Sequence, residues 1–261
     1  MNMIMQILKL GGSVITHKNK DFSPDNENIK RLAHEIAESN PESLIIVHGG
    51  GSFGHPVAKK YSISDGLKTA DQLNGFSETH QAMTQLNQII VDTLLNAGVP
   101  AFAVSASSML VTSGKRLVDM DLSIIKKLLS IGLVPVMYGD AVLDTEQGFA
   151  ILSGDQLIAR LAMELDAERV IYGSDVDGIF TSNPKIDKDA KLINNFSLSN
   201  MTADVGDTTF TDVTGGMLGK LQEAEDAVKA GSKVLFINAT EKDRVKSALK
   251  GEKVMGTILT L

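Results

Sequence analysis

Val47-His48-Gly49-Gly50-Gly51-Ser52-Phe53-Gly54-His55 is the stretch from which the rest of the chain is best read. An apolar run, Ser43 to Val47, leads into it with the pattern of a buried strand. Three glycines follow, free to take φ > 0 and to let another group approach the main chain. Ser52 to Lys60 can then open a helix. Strand, glycine turn and helix N-terminus together make an anion site, because free N–H groups and the helix dipole both favour negative charge. His55 lies just beyond the turn, where a ring N–H reaches the same anion. The plain alternative is a tight turn followed by a surface histidine.

Working outward, the same pattern recurs. Ile4 to Leu10 is an apolar strand interrupted by Gln6 and Lys9, and Gly11-Gly12-Ser13 follows it. Lysine is seldom buried without a partner, so Lys9 either snorkels to water or meets something anionic at the glycines. A basic run, His17, Lys18 and Lys20, comes next. Leu133 to Tyr138 reads as a strand ending at Gly139-Asp140, and Arg169 to Tyr172 as one ending at Gly173-Ser174-Asp175-Val176-Asp177-Gly178. Gly215-Gly216 opens a helix with Lys220 in an early turn and Leu218, Leu221, Ala224 and Val228 on one face.

Between these turns the spacing predicts helices. Ser23-Pro24-Asp25 supplies a cap residue and then Pro at the first helical position. Ile29, Leu32, Ala33 and Ile36 form its apolar face, and it ends near Asn40-Pro41. Gln72 to Asn96 is one long helix with Phe76, Met83, Leu86, Ile90 and Leu94 on a stripe and Thr79 and His80 beside it. That stripe is either plain core, or its first turns wall an apolar ligand pocket; His80 reads as structural. Asp121 to Ser130 is a short helix with Leu122, Ile125 and Leu129 inward. Val142 to Leu152 is a β-hairpin across Gln147-Gly148. Ser153 suits an N-cap for a helix carrying Leu157, Ile158, Leu161 and Leu165. Asp155 in its first turn either answers the helix dipole or holds lysines in place. Asn183-Pro184-Lys185 to Lys191 reads as a long loop. Strands are expected at Val99–Val104, Lys233–Ile237 and Thr257–Leu261, and a helix at Glu241–Leu249.

Alternating strands and helices imply α/β architecture, a mostly parallel sheet with helices on both faces. Ligands in such sheets bind beyond the carboxyl ends of the strands. Four of those ends carry glycines, with Lys9, Lys18, Lys220 and His55 near them, which reads as a site for several phosphates. The chain has 261 residues, 43% of them apolar, enough for one large domain or two joined lobes. A net charge of −7 argues against non-specific nucleic-acid or membrane-surface binding. Without cysteine there is no thiolate metal site and no thiol nucleophile. No signal peptide or membrane span is legible, so the expectation is a soluble cytoplasmic protein. The P-loop and the protein-kinase loop set are missing, and the Rossmann G-x-G-x-x-G is absent at the first glycine turn.

Lys9-Leu10-Gly11-Gly12-Ser13, Val47-His48-Gly49-Gly50-Gly51, Ser174-Asp175-Val176-Asp177-Gly178-Ile179 and Asp212-Val213-Thr214-Gly215-Gly216-Met217 resemble the motifs of the amino-acid-kinase superfamily. Gly51-Ser52-Phe53-Gly54-His55-Pro56 and Ile151-Leu152-Ser153-Gly154-Asp155 are most similar to its isopentenyl phosphate kinase branch. The resemblance implies an open αβα sandwich. It places acceptor binding and dimerisation in residues 1–165 and ATP binding in residues 166–261. It implies a homodimer that uses Mg²⁺ and ATP to phosphorylate isopentenyl phosphate, with neither nucleic acid nor membrane as partner.

By the same resemblance, Lys9, Lys18 and Lys220 face the transferring phosphates and Asp155 organises lysines. His55, Gly50, Gly51 and Gly54 hold the acceptor phosphate, with Ser153 and Gly154 beside it. From their i, i+3, i+7 spacing on one helix face rather than from the resemblance, Phe76, Thr79 and Met83 are expected to wall the tail. Gly11, Gly12, Ser13, Gly215 and Gly216 hold ATP phosphates, and Asp175, Asp177, Gly178 and Lys185 lie at the nucleoside. Two other readings stand beside this one: a kinase of the same fold for another small phosphate or phosphonate, and a non-catalytic nucleotide-binding regulator.

Overall fold

The computed structural model describes residues 4–199 and 215–261. In chain order the elements begin with β1 Met5–Leu10, α1 Gly12–Ile15, α2 Asn26–Ser39, β2 Ser43–His48, α3 Gly51–Lys60 and α4 Asp71–Asn96. Then come β3 Ala101–Ala103, β4 Leu110–Ser113, β5 Arg116–Met120, α5 Ser123–Ser130, β6 Val134–Tyr138, β7 Asp140–Asp144, β8 Gly148–Leu152 and α6 Gly154–Glu164. The chain closes with β9 Arg169–Ser174, β10 Ile179–Phe180, β11 Leu192–Ile193, β12 Asn195–Ser197, α7 Gly215–Lys229, β13 Lys233–Asn238, α8 Arg244–Lys250 and β14 Thr257–Thr260.

An eight-stranded sheet runs β12-β14-β13-β9-β1-β2-β6-β3. From β13 to β3 every neighbouring pair is parallel; only the β13–β14 pairing is antiparallel. This is the α/β sandwich with a mostly parallel sheet that the alternation of elements predicts. The registers bring the strand ends level: Leu10 stands beside both His48 and Gly173, and His48 beside Tyr138. The glycine turns after β9, β1, β2 and β6 therefore lie side by side on one edge.

Side chains alternate across a strand, and β1 divides its residues accordingly. Met5 and Ile7 enter a core with Leu157, Ile158 and Leu161 of α6 and Leu221, Ala224 and Val228 of α7. Leu8 and Leu10 enter the opposite core with Leu32 and Ile36 of α2 and Leu86 and Ile90 of α4. Lys9 shares the parity of Ile7, so it is aimed at the α6 side. That parity, set by the pleat, decides its partner.

Several expectations are corrected. The cap of α2 is Asp25, whose Oδ1 accepts from Asn28 N at 3.0 Å, not Ser23; Pro24 is taken up in a bridge to Thr16. The last helix starts at Arg244 rather than Glu241, because Asp243 has φ of 63°. Its first N–H groups are capped by buried Glu35 of α2, which accepts from Val245 N at 3.1 Å and Lys246 N at 3.2 Å. Leu218 is 42% exposed, and half-buried Met217 packs in its place. Leu128 is buried where Leu129 was expected to be, although Leu129 packs against the same core.

The antiparallel pair β4–β5 has no counterpart in the sequence reading. Its register slips between Val111 and Thr112, and β5 is largely exposed, so no clean apolar alternation marks it. It joins β7 and β8 in a second sheet, ordered β5-β4-β7-β8. Among the described residues no helix is long and apolar enough to cross a membrane.

Candidate active site

A cavity of about 750 Å³ opens over the carboxyl ends of β9, β1, β2 and β6. Its floor is backbone. Gly11 N donates to Gly173 O at 2.9 Å, Gly49 N to Leu10 O at 3.0 Å and Gly139 N to His48 O at 3.2 Å. A Cβ on Gly12 would sit 2.4 Å from Gly51 N, so the glycine turns after β1 and β2 meet main chain to main chain. Gly51 has φ of +47°, a conformation that glycine adopts without penalty. Thr16 fastens this joint: its Oγ1 donates to Gly12 O at 2.7 Å and accepts from Ser52 N at 3.0 Å. No feature of the sequence marked Thr16.

Lys9 is only 5% exposed, so it does not snorkel to water. Its Nζ contacts Asp155 Oδ1 and lies 5.7 Å from the centre of the Tyr172 ring. Burial pushes the Lys9 pKa down; Asp155 opposes that and the nearby Lys220 adds to it. Ser153 caps α6 by accepting from Gln156 N at 3.1 Å, which puts Asp155 in the first turn. Asp155 thus serves both proposed purposes: it stands at the positive end of a helix and it holds a lysine.

His55 is on the outer face of α3, at the cavity. Desolvation lowers its pKa, and the charges of Lys220 and Lys9 lower it further. The ring is therefore neutral at pH 7 and carries one N–H to donate. Lys220, from α7, lines the same space. Lys9, Lys220, His55, Asp155 and the Gly11–Gly12 and Gly50–Gly51 backbones thus surround one volume.

Lys18 also lines the cavity, but its Nζ binds Asp175 Oδ2 at 3.1 Å rather than standing with Lys9. Lys185 reaches the same oxygen at 2.5 Å. Burial raises the Asp175 pKa, but the two lysines outweigh it and bring the value to about 2. Gly178 lines this end, with φ of +152° and its Cβ position 2.4 Å from Thr257 Oγ1. Asp177 does not line the cavity; it pairs with Arg244 at 3.2 Å. Gly215 and Gly216 begin α7, while Asp212-Val213-Thr214 lies outside the described residues.

The apolar end is formed by Ala58, Thr79, Met83, Ile151 and Leu152. Thr79 Oγ1 is turned to Gly75 O at 2.7 Å, leaving its methyl as the apolar contact. Phe76 is not part of this wall. It stacks on Phe149 at 5.1 Å and packs with Ile63 and Ala141. It precedes Thr79 by three positions, but the helix face turns far enough to send it to a separate cluster. His80 Nδ1 bonds Asp140 Oδ2 at 2.7 Å, giving it a structural partner. Tyr172 and Phe236 line the cavity without having been singled out; their burial in strands hid them among core residues.

Comparison with known proteins agrees with this geometry. The family model of the Amino acid kinase family matches residues 5–238. An isopentenyl phosphate kinase of Methanothermobacter thermautotrophicus is 41% identical over 98% of this chain and 99% of its own length. A solved structure of isopentenyl phosphate kinase superposes with a TM-score of 0.87 at 39% identity, covering 98% of this chain and 100% of that one. Another, an isopentenyl phosphate kinase substrate complex, gives 0.82 at 29% identity, covering 98% and 99%. The chain belongs to the amino acid kinase family and, within it, to the isopentenyl phosphate kinases.

Proposed function

We propose that the protein transfers the γ-phosphoryl group of ATP to isopentenyl phosphate, giving isopentenyl diphosphate and ADP. The observation that carries this reading is the convergence of Lys9, Lys220, His55 and two glycine turns on one cavity with an apolar end. A monoalkyl phosphate has its second pKa near 6, so at pH 7 its oxygen is already an anionic nucleophile. No general base is needed. The task is to hold two anions in line and to place positive charge on the moving group.

The residues divide that work. His55 donates its neutral N–H to the acceptor phosphate, with the Gly50, Gly51 and Gly54 backbone beside it and Ser153 and Gly154 across the cavity. Gly11, Gly12 and Ser13 receive the ATP phosphates at the start of α1, and Gly215 and Gly216 supply a second helix start. Lys9 and Lys220 neutralise the transferring phosphoryl group. Asp155 keeps Lys9 charged against its burial. Asp175, with Lys18 and Lys185, and Gly178 form the nucleoside end. Met83 and Thr79 face the tail, for which five carbons at about 0.8 kcal/mol per CH₂ supply a few kcal/mol.

Mg²⁺ enters this reading on the nucleotide, since it favours phosphate oxygens and water. Asp155, at the phosphate end, is engaged by Lys9, and among the described residues no cluster of acidic or histidine side chains forms a cage for the ion. Residues 1–165 then carry the acceptor together with the Gly11–Ser13 end of the ATP phosphates, and residues 166–261 the rest of the ATP site, in a cytoplasmic homodimer. The test is ATP consumption against a panel of alkyl monophosphates and phosphonates, with ³¹P NMR of the product and light scattering for the dimer. A diphosphate formed from isopentenyl phosphate with the highest kcat/KM of the panel is expected. Faster turnover of a phosphonate, or no turnover at all, refutes the assignment.

A further inference from the structure

We infer that Arg116 is a positioning residue for Lys220: its bidentate pair with Glu223 holds helix α7 against the β4–β5 hairpin and fixes where the Lys220 ammonium stands. The inference rests on the phosphoryl-transfer reading of Lys220. Arg116 opens β5, far from Lys220 in sequence. Its Nη2 donates to Glu223 Oε2 at 3.0 Å and its Nη1 to Glu223 Oε1. Two parallel bonds from a planar fork fix direction as well as distance. Glu223 follows Lys220 by three residues, so the two are neighbours on the helix surface.

The hairpin is a firm anchor. Gln156, the residue after Asp155 on α6, accepts from Leu117 N and donates to Lys115 O at 3.2 Å. One hairpin thus ties the helix that carries Asp155 to the helix that carries Lys220. Packing holds α7 through Leu221, Ala224, Ala227 and Val228, with half-buried Met217 against the same core in the first turn. Immediately before Lys220 the helix faces open space on one side: Leu218 is exposed, and the Cβ position of Gly219 has nothing within 4 Å. The Arg116 clamp acts one turn beyond Lys220, on the next turn of α7. A misplacement of about 1 Å in a charge that serves the transition state can cost up to about 100-fold in rate. The pair itself is more than half exposed on the arginine side, so it adds little to folding.

The experiment uses the full chain. Arg116→Ala and Glu223→Gln are each expected to lower kcat by about tenfold or more, with KM for isopentenyl phosphate within about twofold of wild type and a melting shift of about 2 °C or less. The charge swap Arg116→Glu with Glu223→Arg is expected to recover most of the lost kcat. A second readout does not depend on activity: acylation of Lys220, followed by peptide mass spectrometry, should be faster in Arg116→Ala than in wild type. Unchanged kcat with an unchanged Lys220 labelling rate overturns the inference. A fall in kcat that tracks a large fall in melting temperature also overturns it, because the pair is then merely structural. If the wild-type protein fails to phosphorylate isopentenyl phosphate, the functional reading falls, and the labelling rate alone decides the Arg116 clamp.

Discussion

Met83→Ala should widen the acceptor end of the cavity and shift preference towards longer prenyl phosphates. Met83 is 2% exposed, and its Sδ lies 2.6 Å from where a Cβ on Gly54 would sit and 3.1 Å from that of Gly50. It therefore fills the space directly against the acceptor glycine turn. Truncation removes about three heavy atoms beyond Cβ. At about 0.8 kcal/mol per buried CH₂, space for three more carbons is worth roughly 2 kcal/mol to a longer tail. That corresponds to about a 30-fold gain in kcat/KM for geranyl phosphate relative to isopentenyl phosphate. The vacated volume merges with an existing cavity, so the stability loss should fall at the low end of the roughly 2–5 kcal/mol range for such truncations. Phe76→Ala is the matched control, since Phe76 packs on Phe149 away from the cavity. It should lower the melting temperature without changing chain-length preference. Steady-state kinetics on both acceptors, with melting curves, decide the matter. If Met83→Ala loses stability and keeps the wild-type ratio of kcat/KM values, the wall assignment is wrong.

Three further outcomes are expected. His55→Ala should lower kcat/KM for isopentenyl phosphate by about 1.5–3 kcal/mol, the cost of a hydrogen bond to a charged group, and leave ATP affinity by calorimetry unchanged; comparable damage to ATP binding would move His55 to the donor side. Asp155→Asn removes the group that raises the Lys9 pKa against burial, so the alkaline fall in kcat should begin at lower pH than in wild type. A lysine whose folded pKa is below its ordinary 10.5 destabilises the fold while protonated, so in this variant stability should rise with pH from that lowered pKa up to 10.5, as urea titrations across pH would show. Gly51→Ala would place a Cβ 2.1 Å from Thr16 Oγ1 at a φ of +47°, and should weaken binding of both substrates by breaking the joint between the two glycine turns; normal binding constants for the variant would contradict that account.

Much of this protein is legible from its residues in order. Period-2 and period-3.6 patterns mark the principal strands and helices, because burial of one face is a local demand that each segment meets by itself. Glycines at strand ends announce a phosphate edge for the same local reason: only they permit the backbone to close so tightly. The motifs at Lys9, Gly49 to Gly51, Gly54 to His55 and Asp155 carried enough chemistry to point to the family. What lay beyond the sequence were matters of angle and of distant pairing. Whether Phe76 or Met83 faces the acceptor depends on how α4 is rotated against its neighbours, and both lie on the same apolar stripe. Lys9 meets Asp155, 146 residues away, only because the pleat aims it at α6. Glu35 caps a helix 208 to 211 residues further on, and Lys18 turns to Asp175 across 157. The pairing of Arg116 with Glu223 spans 107 residues and begins in a hairpin with no clean alternation. Local periodicity contains no information on such contacts; they exist only once the sheet has set its strand order and the helices have packed upon it.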